Sequence, residues 1–243
     1  MHRMRRVHVA QLNAGEIVLA AADAHHLRDV LRLPDGADVE VFDDAGRTAQ
    51  GVIVWATAQH VVIKVENIRQ TTPGGLSWTV ASALPKGSRA DWMIEKLCEL
   101  GTALFVPLKT ARAVVLPEGQ EKRQRWMRLA AQAARQSRRA GVMRIDALTE
   151  LGSFVQRLDA PAWYFTTEGQ ALSVSEALKT LHPEPARLNL LIGPEGGWTE
   201  TEMSIMKRPG LTPVRLGGTI LRVETAAVAA AAIAAAVVDH LST

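Results

Sequence analysis

Two glycine-rich segments hold the residue types from which a ligand site is most readily built. Leu190-Leu191-Ile192-Gly193-Pro194-Glu195-Gly196-Gly197-Trp198-Thr199 runs out of an apolar, strand-like stretch and into a capped helix start. Glycines without a Cβ let main-chain N–H groups meet a ligand directly, while Pro194 fixes the turn and removes one donor. The segment has neither the G-x-G-x-x-G spacing of dinucleotide sites nor the Gly-Lys-Ser/Thr ending of a phosphate-cradling loop. A strand-to-helix loop is nonetheless where α/β proteins bind ligands; a tight turn without a ligand is the alternative. Leu216-Gly217-Gly218-Thr219-Ile220-Leu221-Arg222-Val223-Glu224-Thr225-Ala226 makes the same passage a second time, and two such loops predict one pocket. Arg222, Glu224 and Thr225 stand where the last helix begins, and Glu224 there is also suited simply to complement the helix dipole.

A second feature is a run of charge. Lys122, Arg123, Arg125, Arg128, Arg135, Arg138 and Arg139 fall within one stretch that contains no Asp or Glu. At helical spacing Arg128, Gln132, Arg135 and Arg139 share a face, while Trp126, Leu129 and Ala133 point elsewhere. Phosphate is the natural partner of such a stripe, with a solvated surface helix as the alternative. The single cysteine, Cys98, allows no internal disulfide and no Cys-based zinc site. It lies among apolar helix positions and reads as a core residue. His25 and His26 have no spaced carboxylate or cysteine beside them, so no metal is expected.

The chain that positions these residues has 243 residues, 47% apolar and 22% charged with mixed signs, which excludes intrinsic disorder. No run approaches the roughly 18 apolar residues of a membrane helix, and no membrane role is expected. The Ala-rich stretch from 226 to 238 is too short and too weakly apolar and reads as a packed helix. One cysteine points to the reducing cytoplasm, and the basic start Met1–Arg6, followed by Val-His-Val-Ala-Gln, does not read as a secretion signal. The net charge of +3 conceals an asymmetry, with 8 basic against 9 acidic residues up to Thr72 and 20 against 16 after it.

The first 70 residues read as short strands around Val7–Val9, Glu16–Leu19, Val39–Phe42, Gly51–Trp55 and Val61–Val65, with one helix at Ala24–Leu31. Asp35-Gly36 and Asp44-Ala45-Gly46 are turn chemistry, and five strands so spaced predict a small β-barrel. Gln70–Gly75 is polar and Gly/Pro-rich, as a domain boundary is. Strand and helix then alternate. Strands are predicted at Ser77–Leu84, Ala103–Pro107, Pro161–Thr167, Arg187–Ile192 and Thr212–Leu216. Helices are predicted after a capping box at Ser88–Asp91 closed by Gly101, at Pro117–Ala140 and Ser173–Leu181, after a second box at Thr199–Glu202, and at Glu224–Leu241. Such alternation implies a parallel sheet covered by helices.

Gly193-Pro-Glu-Gly-Gly197, Leu216-Gly217 and Ile220-Leu-Arg-x-Glu-Thr225 together resemble the knotted SPOUT methyltransferases. Within them the likeness is to the RsmE family, which methylates N3 of a uridine in small-subunit ribosomal RNA. Lys86-Gly-Ser-Arg89, Ile94-Glu-Lys96, Glu99-Leu-Gly101 and Gln136-Ser137 with Arg139 are similar to further motifs of that family. His25-His26-Leu27, Val30-Leu31-Arg32 and Gly36 resemble its RNA-binding barrel of PUA type. The likeness covers nearly the whole chain and departs from the family pattern at Arg135, usually acidic, and Thr219, usually basic.

The resemblance implies a PUA-like β-barrel over residues 1–72 and an α/β SPOUT domain over 73–243, a parallel sheet with a deep trefoil knot that binds S-adenosylmethionine. It implies a homodimer acting on 16S rRNA or the 30S subunit. The cofactor would be held by Thr166, Thr167 and Glu168, by Ile192, Gly193, Pro194, Glu195, Gly196 and Gly197, and by Leu216, Gly217, Ile220 and Leu221. Methyl transfer from a sulfonium to nitrogen is one in-line displacement, needing alignment and loss of the N3 proton but no covalent intermediate. Arg222 and Arg139 are the candidates to stabilise the developing uracil anion, Arg139 across the dimer interface, and Glu224 is the leading carboxylate for the proton. Arg5, Arg32, Lys86, Arg89, Arg125, Arg128, Arg135 and Arg138 are candidate RNA contacts. A non-catalytic RNA-binding protein, and a ribose 2′-O-methyltransferase acting on tRNA, are the competing readings.

Overall fold

The computed structural model describes residues 4–19, 21–55, 61–70, 76–116, 119–181 and 186–241. The chain divides into two compact units, Met1–Pro73 with Ala134–Val142, and Gly74–Ala133 with Met143–Thr243. The expected boundary at residues 71–75 lies outside the described residues.

In the N-terminal unit, strands β1 (Arg5–Val9), β2 (Gly15–Val18), β3 (Asp38–Asp43), β4 (Arg47–Trp55) and β5 (Val61–Gln70) pair in the order β1-β3-β4-β5-β2. The β1–β3 pair is parallel and the others antiparallel. Alternation explains the register. Val61, Ile63 and Val65 of β5 are buried and Lys64 and Glu66 exposed, and the inward set packs on Val39, Val41, Ile53 and Leu27. The predicted helix is a short α1 (Ala21–His25) that widens into a π turn over His26–Val30.

The turn after β3 is held by one buried carboxylate. Asp43 accepts from the backbone N–H groups of Leu12, Ala45 and Arg47 at 2.9–3.0 Å and from the Arg47 guanidinium at 2.7 Å. Burial alone would raise this carboxyl, but the donors outweigh it and hold it below the ordinary carboxylate range.

The C-terminal unit is built on β6 (Ser77–Ser82), β7 (Leu104–Lys109), β8 (Arg144–Ile145), β9 (Thr149–Glu150), β10 (Ala162–Phe165), β11 (Leu172–Ser173), β12 (Arg187–Ile192) and β13 (Leu211–Arg215). The order is β11-β13-β10-β12-β6-β7-β8 with β9 also on β7, and every pairing is parallel. The helices are α2 (Arg89–Glu99), α3 (Gln120–Ser137), α4 (Leu151–Gln156), α5 (Val174–Lys179), α6 (Glu200–Met206) and α7 (Val223–Leu241). All four residues of β10 are buried, as a strand covered on both faces requires.

Three local expectations need correction. Ser88 makes no cap: its backbone is already helical and its hydroxyl accepts nothing from the first turn. Asp91 turns instead to α3, accepting from Trp126 Nε1 at 3.0 Å and from Arg125 at 2.6 Å. Helix α3 ends at Ser137 because Arg138 takes a left-handed φ of 60°, and the N–H of Arg139 closes back on the Ala134 carbonyl. Arg139 therefore does not share the helical face of Arg128 and Arg135. The predicted start of α3 at Pro117 lies outside the described residues. The capping box at Thr199–Glu202 is present, and Ser173–Glu176 forms another.

Asp43→Asn is expected to destabilise the N-terminal unit by about 2–4 kcal/mol at neutral pH, measured by urea denaturation. The folded pKa is depressed, so the stability Asp43 contributes is present above its unfolded value near ~3.9 and is lost as pH falls through the folded one. The gap between wild type and variant should accordingly narrow in acid.

Candidate active site

The two glycine loops leave the carboxyl ends of β12 and β13, the strands that flank β10. Strand β10 lies between β12 and β13, with Phe165 level with Ile192 on one side and Val214 on the other. The segments that follow, beginning at Thr166, Gly193 and Leu216, therefore emerge side by side, where an open parallel sheet presents its ligand crevice.

The loops are shaped by their own hydrogen bonds. Thr166 N donates to Val214 O at 3.1 Å, and Thr166 Oγ1 accepts from Glu168 N at 3.0 Å. Pro194–Gly197 is a turn closed by Gly197 N to Pro194 O at 2.9 Å, with Gly197 at φ 72°. The buried Trp198 donates its indole N–H to Phe165 O at 2.9 Å, tying the first glycine loop to the Thr166 loop. Its ring lies so near Gly193 that a Cβ there would fall 2.8 Å from Cε2, which is why glycine is required at that position.

One pocket results. It is lined by Thr166, Thr167, Glu168, Ile192, Gly193, Pro194, Glu195, Gly197, Leu216, Gly217, Ile220 and Leu221, which is every proposed cofactor position except Gly196. An added Cβ at Gly196 meets the stem of Arg112 at 3.3 Å, so the close approach there is to protein. Phe165, Trp198, Thr219, Val223 and Ala226 also line the pocket. Of these Trp198 had a signal, since it follows the glycines directly; the others arrive only through strand order and the turn into α7. The lining carries two carboxylates, Glu168 and Glu195, and no Lys or Arg. A ligand bearing positive charge suits that balance.

The candidate catalytic side chains are not in the lining. Arg222 and Glu224 flank pocket-lining Val223 at the start of α7. Arg222 is exposed, and its carbonyl accepts the first helical bond from Ala226 N at 2.9 Å. Glu224 is buried, with Oε1 on Arg89 Nη1 at 3.1 Å and Oε2 without a partner among the described residues. Arg139 belongs to the N-terminal unit. Cys98 is buried in α2 with its thiol on the Ala130 carbonyl at 3.1 Å, as a core residue should be.

The basic residues divide as the chain does. In the C-terminal unit Gly87, Ser88, Asp91, Glu121, Lys122, Arg125 and Arg128 line a groove between the start of α2 and α3, and Lys86 is exposed beside Gly87. Arg89 is turned to Glu224 and the Lys86 carbonyl instead. In the N-terminal unit Arg5, Arg32 and Arg138 are exposed, Arg32 at φ 52° and Arg138 reaching Met4 O at 3.4 Å, while Arg135 is half-buried. Among the described residues no cluster of His, Cys, Asp or Glu could hold a metal ion, and no helix is long and apolar enough to cross a membrane.

A model of the RNA methyltransferase domain matches residues 73–235, and one of the RNA methyltransferase PUA domain matches residues 19–66. Fold and site thus define the class, an RNA methyltransferase that carries a PUA domain. Over 222 residues the chain is 35% identical to ribosomal RNA small subunit methyltransferase E of Synechocystis sp. (strain ATCC 27184 / PCC 6803 / Kazusa), covering 89% of this chain and 71% of that one. It is 30% identical over 219 residues to the protein of that name from Bacillus subtilis, covering 86% and 85%. The chain belongs to the ribosomal RNA small subunit methyltransferase E family. Its fold is shared with the Neisseria gonorrhoeae member bound to S-adenosyl methionine, at a TM-score of 0.81 and 24% identity over 95% of this chain and 96% of that one. A Legionella pneumophila methyltransferase with bound SAM gives 0.84 and 24% over 97% and 98%.

Gly193→Ala is expected to push the Trp198 ring aside and cost about 1–3 kcal/mol. In proton–nitrogen correlation spectra its indole N–H should lose protection from solvent exchange. Gly196→Ala, which meets only a flexible side chain, should leave that signal in place.

Proposed function

We propose that this chain transfers a methyl group from S-adenosylmethionine to N3 of a uridine in 16S rRNA, in the cytoplasm and as a homodimer. The observation that carries the reading is the single pocket where three loops meet at the carboxyl ends of β12, β10 and β13. Its charge is set by Glu168 and Glu195, which suits a donor that presents a sulfonium and an ammonium. The knotted passage of the C-terminal segment belongs to the same reading and is supported by Gly217, Ile220 and Leu221 lining the same pocket as Gly193, Pro194 and Glu195.

When bound, the donor supplies an electrophilic methyl carbon. The protein's part is to align that carbon with N3 and to favour loss of the N3 proton. In this reading Arg222, exposed at the pocket's rim, faces the uracil carbonyl oxygens and stabilises the negative charge that develops there, with Arg139 supplied by the second subunit. Glu224 is the carboxylate nearest in sequence to take the proton. Lys86 and Arg128 grip phosphates, as do Arg5, Arg32, Arg135 and Arg138 of the N-terminal unit, while Arg89 and Arg125 serve RNA only insofar as they leave Glu224 and Asp91.

The deciding experiment is tritiated methyl transfer to ribosomal RNA from cells lacking the protein, offered as free RNA and as 30S particles, followed by digestion to nucleosides. 3-Methyluridine is the expected product. A ribose-methylated nucleoside, or no incorporation while RNA still binds, would overturn the reading. Arg222→Ala should lower kcat by on the order of 10²- to 10³-fold with far less effect on donor affinity by calorimetry. Arg128→Ala should weaken RNA association evenly across sequences and reduce the slope of log affinity against log salt by about 1.

A further inference from the structure

The Gly193–Gly197 turn has three glycines, and such a segment loses much conformational freedom when it is held for a ligand. Something outside the turn must supply that order. We infer that Arg112, in the segment following β7, is the positioning residue that holds this turn ready for the methyl donor; the inference rests on the function proposed above.

Arg112 Nη1 donates to the Gly196 carbonyl at 2.6 Å, a charge-assisted bond to a residue far away in sequence. Its aliphatic stem lies flat along the same residue, so that a Cβ on Gly196 would sit 3.3 Å from Arg112 Cδ and 3.4 Å from Arg112 Cβ. At Gly197 an added Cβ would lie 3.6 Å from Glu168 Oε1 and 4.0 Å from Arg112 Nη1, so the same guanidinium also approaches the next glycine of the turn.

Arg112 is itself anchored. The N–H of Ala111 donates to Glu202 Oε1 at 2.8 Å, while Glu202 Oε2 accepts from Thr199 N at 2.8 Å and Thr199 Oγ1 at 3.0 Å. Thr199 follows the turn by two residues. The connections therefore close on themselves, from Gly196 to Arg112, along the chain to Ala111, through buried Glu202 to Thr199, and back along the chain to Gly196. The C-terminal part of the turn and the helix cap that follows it are therefore held by the same neighbouring segment. Arg112 does not line the pocket, so its effect on the donor passes through the turn. Ordering the turn before the donor arrives removes an entropic cost from binding, and that cost returns when the clasp is cut.

The test uses the full chain with Arg112→Ala and Arg112→Lys, calorimetric titration of S-adenosylmethionine, and hydrogen exchange of the ligand-free protein. Arg112→Ala is expected to raise the donor Kd about tenfold, the loss of one charge-assisted bond. Exchange should rise over peptides spanning 193–199, with kcat at saturating donor within about threefold of wild type. Arg112→Lys keeps the charge on a flexible stem and should recover part of both effects. Unchanged affinity and exchange in Arg112→Ala would overturn the inference, and so would an equal rise in exchange across the whole C-terminal unit in both variants. If the wild type itself binds no donor, the function proposed above fails, while a rise confined to 193–199 still identifies the clasp.

Discussion

Everything the C-terminal unit offers a ligand depends on the register of β10 between β12 and β13. Parallel pairing sets Phe165 level with Ile192 and with Val214, so three chain segments turn off the sheet at one height. A shift of one residue in either pairing would invert the side chains of a strand buried on both faces and carry one loop out of the crevice. The pairing is protected by what it buries: Ala162, Trp163, Tyr164 and Phe165 are all buried, and burial pushes the Tyr164 hydroxyl up from its usual pKa.

A pocket built on glycine-rich loops has little stiffness of its own, and this one borrows it from a few buried polar groups. Trp198 spans the first glycine turn and the Thr166 loop with a single indole bond, and its ring sets the width of the gap at Gly193. Glu202 uses both oxygens, one on its own helix cap and one on the Ala111 amide. Glu224 pairs one oxygen with Arg89 across α2 and α7. Each would be costly to bury unpaired, so each fixes the distance between the elements it joins.

Charge is used in two separate ways. The pocket lining is acidic, whereas the groove between the start of α2 and α3 is edged by Lys122, Arg125 and Arg128. The pocket thus offers a cation two carboxylates, whereas the groove sets three basic side chains beside Asp91 and Glu121. Some of the arginines are committed to structure: Arg125 reaches Asp91, Arg123 donates to the Ile145 carbonyl at 3.0 Å, and Arg6 stacks over Phe42 at 4.2 Å while pairing with Glu40.

The amino-acid sequence determined the elements with a clear period or a chemical stop: the alternating strand at Val61–Val65, the buried run at Arg187–Ile192, the Thr199–Glu202 cap, and the glycine loops themselves. It could not show β8, β9 or β11, because two residues carry no period, nor the failure of Ser88 as a cap, because Asp91 finds its partners on α3. Arg112 was invisible for the same reason: a bond to Gly196 across 84 positions leaves no local trace. The order of the strands, and with it the union of residues near 166, 195 and 219 in one crevice, was decided only by tertiary structure. Local chemistry specifies where a chain turns, but which turns become neighbours depends on how buried faces pair across the whole sheet.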